Sequence, residues 1–157
     1  MFFLPAGRIH SIGTGCFIAE IQQTSDITYR IYDFGRVGLD GKPRELHTEL
    51  SKAAIDYTVL DDYKTAYEDV KNAENQIVDC EYFTTSLFDL TQPVKTAVKA
   101  HDSFMIVICV GGNGTLTDSE GNSVSLHQGE TVLIPACTDE VTFTPSGSIK
   151  LLTSYIR

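Results

Sequence analysis

Apolar and polar residues alternate with period two over most of the second half of this chain, and that spacing predicts strands. From Cys80 onward the candidate strands are 80–89, 93–100, 104–110, 114–118, 122–126, 131–135, 140–144 and 149–156. Turn-forming residues separate them: Gly111-Gly112-Asn113-Gly114, Glu120-Gly121-Asn122, Gln128-Gly129-Glu130 and Pro145-Ser146-Gly147. Many short strands at regular spacing predict a sandwich or barrel. The first third is less regular. Pro5 and Gly7 predict a sharp turn, and residues 2–34 then read as two or three strands, ending in the β-branched and aromatic run Thr28–Tyr32. After Gly35, Gly38 and Asp40-Gly41, the spacing of Leu46, Leu50, Ala53, Ala54 and Tyr57 predicts a helix over about 43–56, opened by Pro43. Residues 57–79 are acidic and weakly periodic. They read as a connector with a second short helix near 63–71.

Composition narrows what such a chain can do. At 157 residues it is long enough to bury a core. A formal charge of −9 disfavours nucleic acid and anionic membranes as partners, because both reward clustered Lys and Arg. No apolar run approaches the roughly 18 residues of a membrane span. Met1–Leu4 is too short, and too soon interrupted by Pro5, to read as a secretion signal, so the expected location is cytoplasmic. Cys16, Cys80, Cys109 and Cys137 are widely spaced and form no Cys-x-x-Cys pair; reduced thiols are expected.

Candidate chemistry gathers near the N-terminus. His10 follows the Pro5–Gly7 turn, where a strand leaving it can aim an imidazole inward. Read as a strand, 16–23 places Ile18, Glu20 and Gln22 on one face, a carboxylate and an amide on the wall of a polar pocket. Arg8, Arg36, Lys42 and Arg44 add local positive charge that can meet a phosphate. On the residues alone, His10 reads as a structural histidine, Arg30 as an ion-paired or stacked strand residue, Glu20 as an outward carboxylate and Asp26 as a turn cap. His47 reads as exposed on the predicted helix. His101 and His127 stand singly, without a His-x-His…Glu array, so the second half reads as metal-free.

The run PAGRIHSIG, followed by AEIQQTSDITYRIYD, Arg36 and then RELHTE…AIDY, closely resembles the type I mannose-6-phosphate isomerases in their shorter bacterial form. Gly129-Glu130-Thr131-Val132-Leu133-Ile134-Pro135 is similar to the sheet-crossing segment of cupin jelly rolls, and Pro5–His10 is similar to the end of that motif. The implied fold is mostly β, a cupin-type jelly roll with one or two short helices in the connector. Because the Pro-Ala-Gly-x-x-His motif lies about halfway along those enzymes, the chain resembles a C-terminal half. The organisation expected on that basis is a remnant of a first, metal-site lobe over 1–40, a connector over 41–79 and a complete second lobe over 80–157.

The resemblance also implies roles for particular residues. His10 matches a zinc ligand, Arg30 the arginine considered catalytic, and Glu20 and Asp26 residues lining the same pocket; Arg8 joins Asp26 as a substrate-binding candidate. The implied activity interconverts mannose 6-phosphate and fructose 6-phosphate, with zinc as cofactor and a small phosphorylated sugar as partner. One histidine cannot hold zinc alone, so an incomplete metal site and no turnover are expected of this chain by itself. The alternatives are a non-catalytic sugar-binding cupin or a purely structural domain. Unpaired edges in residues 2–34 are expected to pair with the second lobe, to pair with another copy in a homo-oligomer, or to become irregular.

Overall fold

The computed structural model describes residues 1–25 and 27–156, so Asp26 lies outside the described residues. The chain divides into two compact units, one over Phe2–Tyr63 and the other from Lys64 onward together with Met1. Each has its own internal order.

The larger unit is the antiparallel β-structure that the alternation predicts. Among its described residues seven strands follow in sequence: β1 Glu74–Asp79, β2 Phe83–Leu90, β3 Val94–Ala97, β4 Met105–Asp118, β5 Ser123–His127, β6 Thr131–Ile134 and β7 Glu140–Ile156. A single 3-10 turn, Lys99–His101, follows β3. The path β1-β2-β7-β4-β5 forms the main ladder, with β3 on β7 and β6 on β4. The two long strands belong to both faces of the roll. β7 pairs with β2 through Ile149–Ile156 and with β3 through Glu140–Phe143, while β4 runs beside it along nearly its whole length.

This corrects four expected strands to two. The segments 104–110 and 114–118 are one strand, as are 140–144 and 149–156. Gly111–Gly114 makes no chain-reversing turn; register shifts between Cys109 and Gly111, and between Gly112 and Gly114, mark bulges that bend β4. Glycine is required there because β7 passes so close. A Cβ on Gly112 would lie 2.1 Å from the Ser148 carbonyl oxygen, and one on Gly114 2.4 Å from that of Thr144. Pro145–Gly147 bends β7 opposite the same point. Gly and Pro read as turn punctuation in sequence can equally bend a strand around a barrel corner.

Inward residues of the bent strands form the core. Phe88, Leu90, Met105, Val107, Phe143 and Leu151 are almost fully buried, with the Phe88 and Phe143 rings meeting edge to face at 5.3 Å between centroids. Elsewhere the punctuation reads true. His127 N–H donates to Glu130 Oε2 at 2.7 Å across the Gln128-Gly129 turn, and β6 leads from it to Pro135. The expected helix near 63–71 does not form; β1 arises instead at the end of the acidic stretch, paired on β2. Asn75 on β1 is buried, and its amide nitrogen donates to the carbonyls of Val70, Ala73 and Leu87, which ties the preceding loop to the sheet.

Residues 2–34, expected to hold strands, contain none among those described. A strand needs a ladder partner for its backbone groups, and this segment has none within its unit. Among the described residues of that unit the only bridge is Val37 to Pro43, closing a loop in which Gly38 N–H donates to Lys42 O at 2.8 Å. That bridge holds Pro43 extended. The expected helix over 43–56 therefore shortens to α1, Thr48–Ala54.

Candidate functional site

The unit formed by Phe2–Tyr63 carries every residue that the sequence singles out for chemistry. The Pro5–Gly7 turn closes as expected, with Arg8 N–H donating to Pro5 O at 3.1 Å. Gly7 has φ +83°, and a Cβ there would sit 2.6 Å from the Ala54 carbonyl oxygen, so the turn packs against the end of α1. Asp56 N–H donates to Gly7 O at 2.9 Å and fixes that contact. The Arg8 guanidinium is tethered here, 3.4 Å from Asp56 Oδ2, 3.3 Å from Thr58 O and over the Tyr63 ring. His10 is exposed, and its Nδ1 lies 3.0 Å from Arg8 O. Glu20 is exposed as well, and no hydrogen bond or ion pair among the described residues joins it to His10 or Arg30.

Arg30 belongs to a second cluster, built around a carboxylate that the sequence reading did not single out. Asp33 is buried, and three arginines converge on it. Arg44 binds it through both ends of its fork, with Nε to Oδ2 at 2.6 Å and a second, short bond to Oδ1. Arg30 Nε lies 3.7 Å and Arg36 Nε 4.0 Å from Oδ1. The hydrogen bonds from Arg44 hold the Asp33 carboxyl below its ordinary range against the opposing effect of burial, with the charges of Arg44, Arg30 and Arg36 adding to the shift. Arg44 is correspondingly raised by its hydrogen bond to Asp33.

Arg30 is also held from its main chain. Its N–H donates to His47 Nδ1 at 3.1 Å, its carbonyl accepts from His47 N–H at 2.8 Å, and its Nη1 donates to Glu45 O at 3.3 Å. His47 is therefore a half-buried acceptor just before α1, not the exposed helical residue expected. Arg44–His47 forms a cradle for Arg30, although twelve or more residues intervene. The signal for Asp33 was present in sequence, since Arg30 and Arg36 flank it at three residues on either side. The partnership with Arg44 and His47 depends on the Val37–Pro43 loop and has no such signature.

The other histidines are engaged in the larger unit. His101 stacks on Tyr155 at 3.8 Å between ring centroids, and His127 Nδ1 lies 3.1 Å from Glu130 Oε2. Among the described residues, no three His, Cys, Asp or Glu side chains gather in an arrangement able to hold a metal ion. The described residues as a set do not fit a zinc centre. None of their helices is long and apolar enough to cross a membrane.

Residues 73–156, more than half of the chain, match the family model described as mannose-6-phosphate isomerase, cupin domain. The chain belongs to that family. Among curated members of the mannose-6-phosphate isomerase family, it is 29% identical to the isomerase ManA of Bacillus subtilis over 136 residues, covering 85% of this chain and 42% of that protein. It is 28% identical to the mannose-6-phosphate isomerase of Streptococcus mutans over 155 residues, covering 98% of this chain and 48% of the relative. The crystal structure of the mannose 6-phosphate isomerase from Bacillus subtilis superposes with a TM-score of 0.66 at 29% identity, covering 83% of this chain and 40% of that one. The chain thus spans about half the length of the curated relatives it matches. The jelly-roll fold expected from the resemblance is the fold of this family.

Proposed function

We propose that this chain contributes one wall of a sugar-phosphate isomerase site that interconverts mannose 6-phosphate and fructose 6-phosphate, in the cytoplasm. The observation that carries the reading is the Arg30 guanidinium, held by Asp33 and the Glu45 carbonyl while His47 binds the Arg30 main chain, in a family whose relatives are mannose-6-phosphate isomerases. Aldose–ketose exchange moves a proton between C1 and C2 through an enediol, and negative charge develops on the substrate oxygens. An arginine that stays charged, and whose position is set before substrate arrives, stabilises that charge without reorganising. Arg30 takes this role, and Glu20, exposed and unpaired with either cluster, serves substrate hydroxyls or proton transfer. Asp26 and Arg8 complete the substrate-binding set. His10 would be one ligand of a zinc ion, and no step is assigned through that ion from these residues.

The reading is tested by replacing the matching C-terminal segment of Bacillus subtilis ManA with this chain. The hybrid is expected to interconvert the two sugar phosphates. Arg30→Met in the hybrid should lower kcat by about 100-fold, in the range typical of removing one electrostatic stabiliser. The chain alone, with His10 as its single proposed ligand, is expected to retain no stoichiometric zinc and to show no turnover. A folded hybrid that is inactive, or one indifferent to Arg30, would sink the proposal.

A further inference from the structure

We infer that the outer edges of β5 and β6, with the cleft between them, form the surface on which a second copy of this chain docks. The inference stands on the larger unit alone and does not depend on the isomerase reading.

The first observation is an open edge. β5 pairs with residues 113–117 of β4 and β6 with residues 105–108, both on the side of β4 away from β7. Among the described residues no strand pairs with the far side of either. Their outward N–H and C=O groups therefore form a template for another strand. Other edges of the unit are guarded. β1 carries Glu74 and Asp79 and is interrupted by a bulge between Gln76 and Val78, and β3 carries Lys95, ion-paired with Glu140. Charges and bulges of this kind keep strands from pairing edge to edge. β5 and β6 contain no Asp, Glu, Lys or Arg, and their registers on β4 run without a shift.

The second observation is an opening into the core. Val124 lies opposite Leu116, and Ile134 opposite Met105, so all four side chains point into the roll. Val124 is nevertheless 42% exposed, on a cleft of about 190 Å³ floored by Leu116, Ile134 and Val141 of the core. At its rim Leu133, which points outward from β6, is 63% exposed. The cleft is smaller than the roughly 300–1,000 Å³ of small-molecule sites. A strand added to a sheet edge seats single side chains in pockets of this modest kind, while its main chain supplies the hydrogen bonds.

The third observation is charge, and it selects the occupant. Two copies of a chain carrying −9 repel each other, so contact between them is favoured where neither presents acidic side chains. Over residues 121–138 the one Asp, Glu, Lys or Arg is Glu130, in a chain of which 21% is charged. Glu130 is engaged within its own turn, its Oε2 accepting from His127 N–H at 2.7 Å and lying 3.1 Å from His127 Nδ1. Asp118, at the end of the cleft, accepts from the N–H groups of Glu120 and Asn122. A basic partner would find its complement elsewhere on so acidic a chain; this face suits a copy of itself. Like edges pair antiparallel about a two-fold axis, and the contact then closes as a dimer.

The test is sedimentation of the 157-residue chain across about a hundredfold range of concentration, with hydrogen exchange followed at both ends of that range. The expected result is a mass that rises to that of two chains, with the outward amides of β5 and β6 slowing as it does. Added salt should strengthen the association, because it screens the repulsion between two acidic copies. Leu133→Lys should weaken it by at least about tenfold, and Ser125→Lys, exposed on β5, by a similar factor, because each sets like charges against each other across the paired edges. Both variants lower the net negative charge, so a loss reports the edge and not repulsion between whole chains. Val59→Lys, at a residue 84% exposed in the other unit, is the control and should leave the dimer unchanged. Thermal melts confirm that these exposed substitutions leave the fold intact. A single-chain mass at every concentration overturns the inference. So does a dimer indifferent to both edge lysines, which would place the contact on another surface, or one that salt dissociates.

Discussion

Asp33 and Asp89 are two buried carboxylates, each compensated by more than one cation. Asp89 accepts from Lys71 and lies 3.0 Å from Lys150, and those bonds hold its carboxyl below the ordinary range despite burial. For a carboxylate whose folded value is depressed, stability is fully present above the unfolded value, about 3.9 for Asp, and is lost as pH falls through the lower folded value. Thermal melts should therefore be flat from pH 7 to about 5 and fall below about 4. Asp89→Asn should lower stability at pH 7 by about 1 kcal/mol, since both lysines are half-exposed and well hydrated, and should flatten the acid limb. An unchanged acid limb would count against the assignment. At this scale the sequence was readable where partners lie close along the chain, as with Arg30 and Arg36 on either side of Asp33. It was silent where a partner came from a distant loop, as with His47.

The bend shared by β4 and β7 makes the element scale testable. Gly112 has φ +70° and faces the Ser148 carbonyl, so Gly112→Ala adds both backbone strain and a clash. A loss of about 2 kcal/mol or more is expected in denaturant titration. Gly121, at φ +89° with nothing within 4 Å of an added Cβ, bears strain alone, and Gly121→Ala should cost about 1 kcal/mol. Equal losses would mean that the close approach at Gly112 is relieved by small shifts. Period-two alternation placed nearly every strand of the larger unit, because each strand buries one face and the pattern is local. It divided β4 and β7 wrongly because a bulge and a turn use the same residues. It assigned strands to residues 2–34 because propensity does not reveal whether a ladder partner exists.

At the scale of the molecule, the two units differ in what secures them. From Lys64 onward, paired strands close over a continuous apolar core, whereas Phe2–Tyr63 relies on turns, one short helix and ion pairs, with many exposed apolar side chains. Hydrogen exchange should be slowest in β4 and β7 and fast through most of residues 2–46. Slow exchange across 16–25 and 27–32 would show ladder pairing that these described residues lack. Cys109 adds a clock to this arrangement. Cys16 and Cys137 are exposed, while Cys109 is fully buried at the bend, its thiol raised chiefly by burial and its Sγ 3.5 Å from Gly111 O. An alkylating reagent should mark the two outer sulfurs within minutes and reach Cys109 only when the roll parts at its corner, so the delay before that last adduct times how often the barrel breathes.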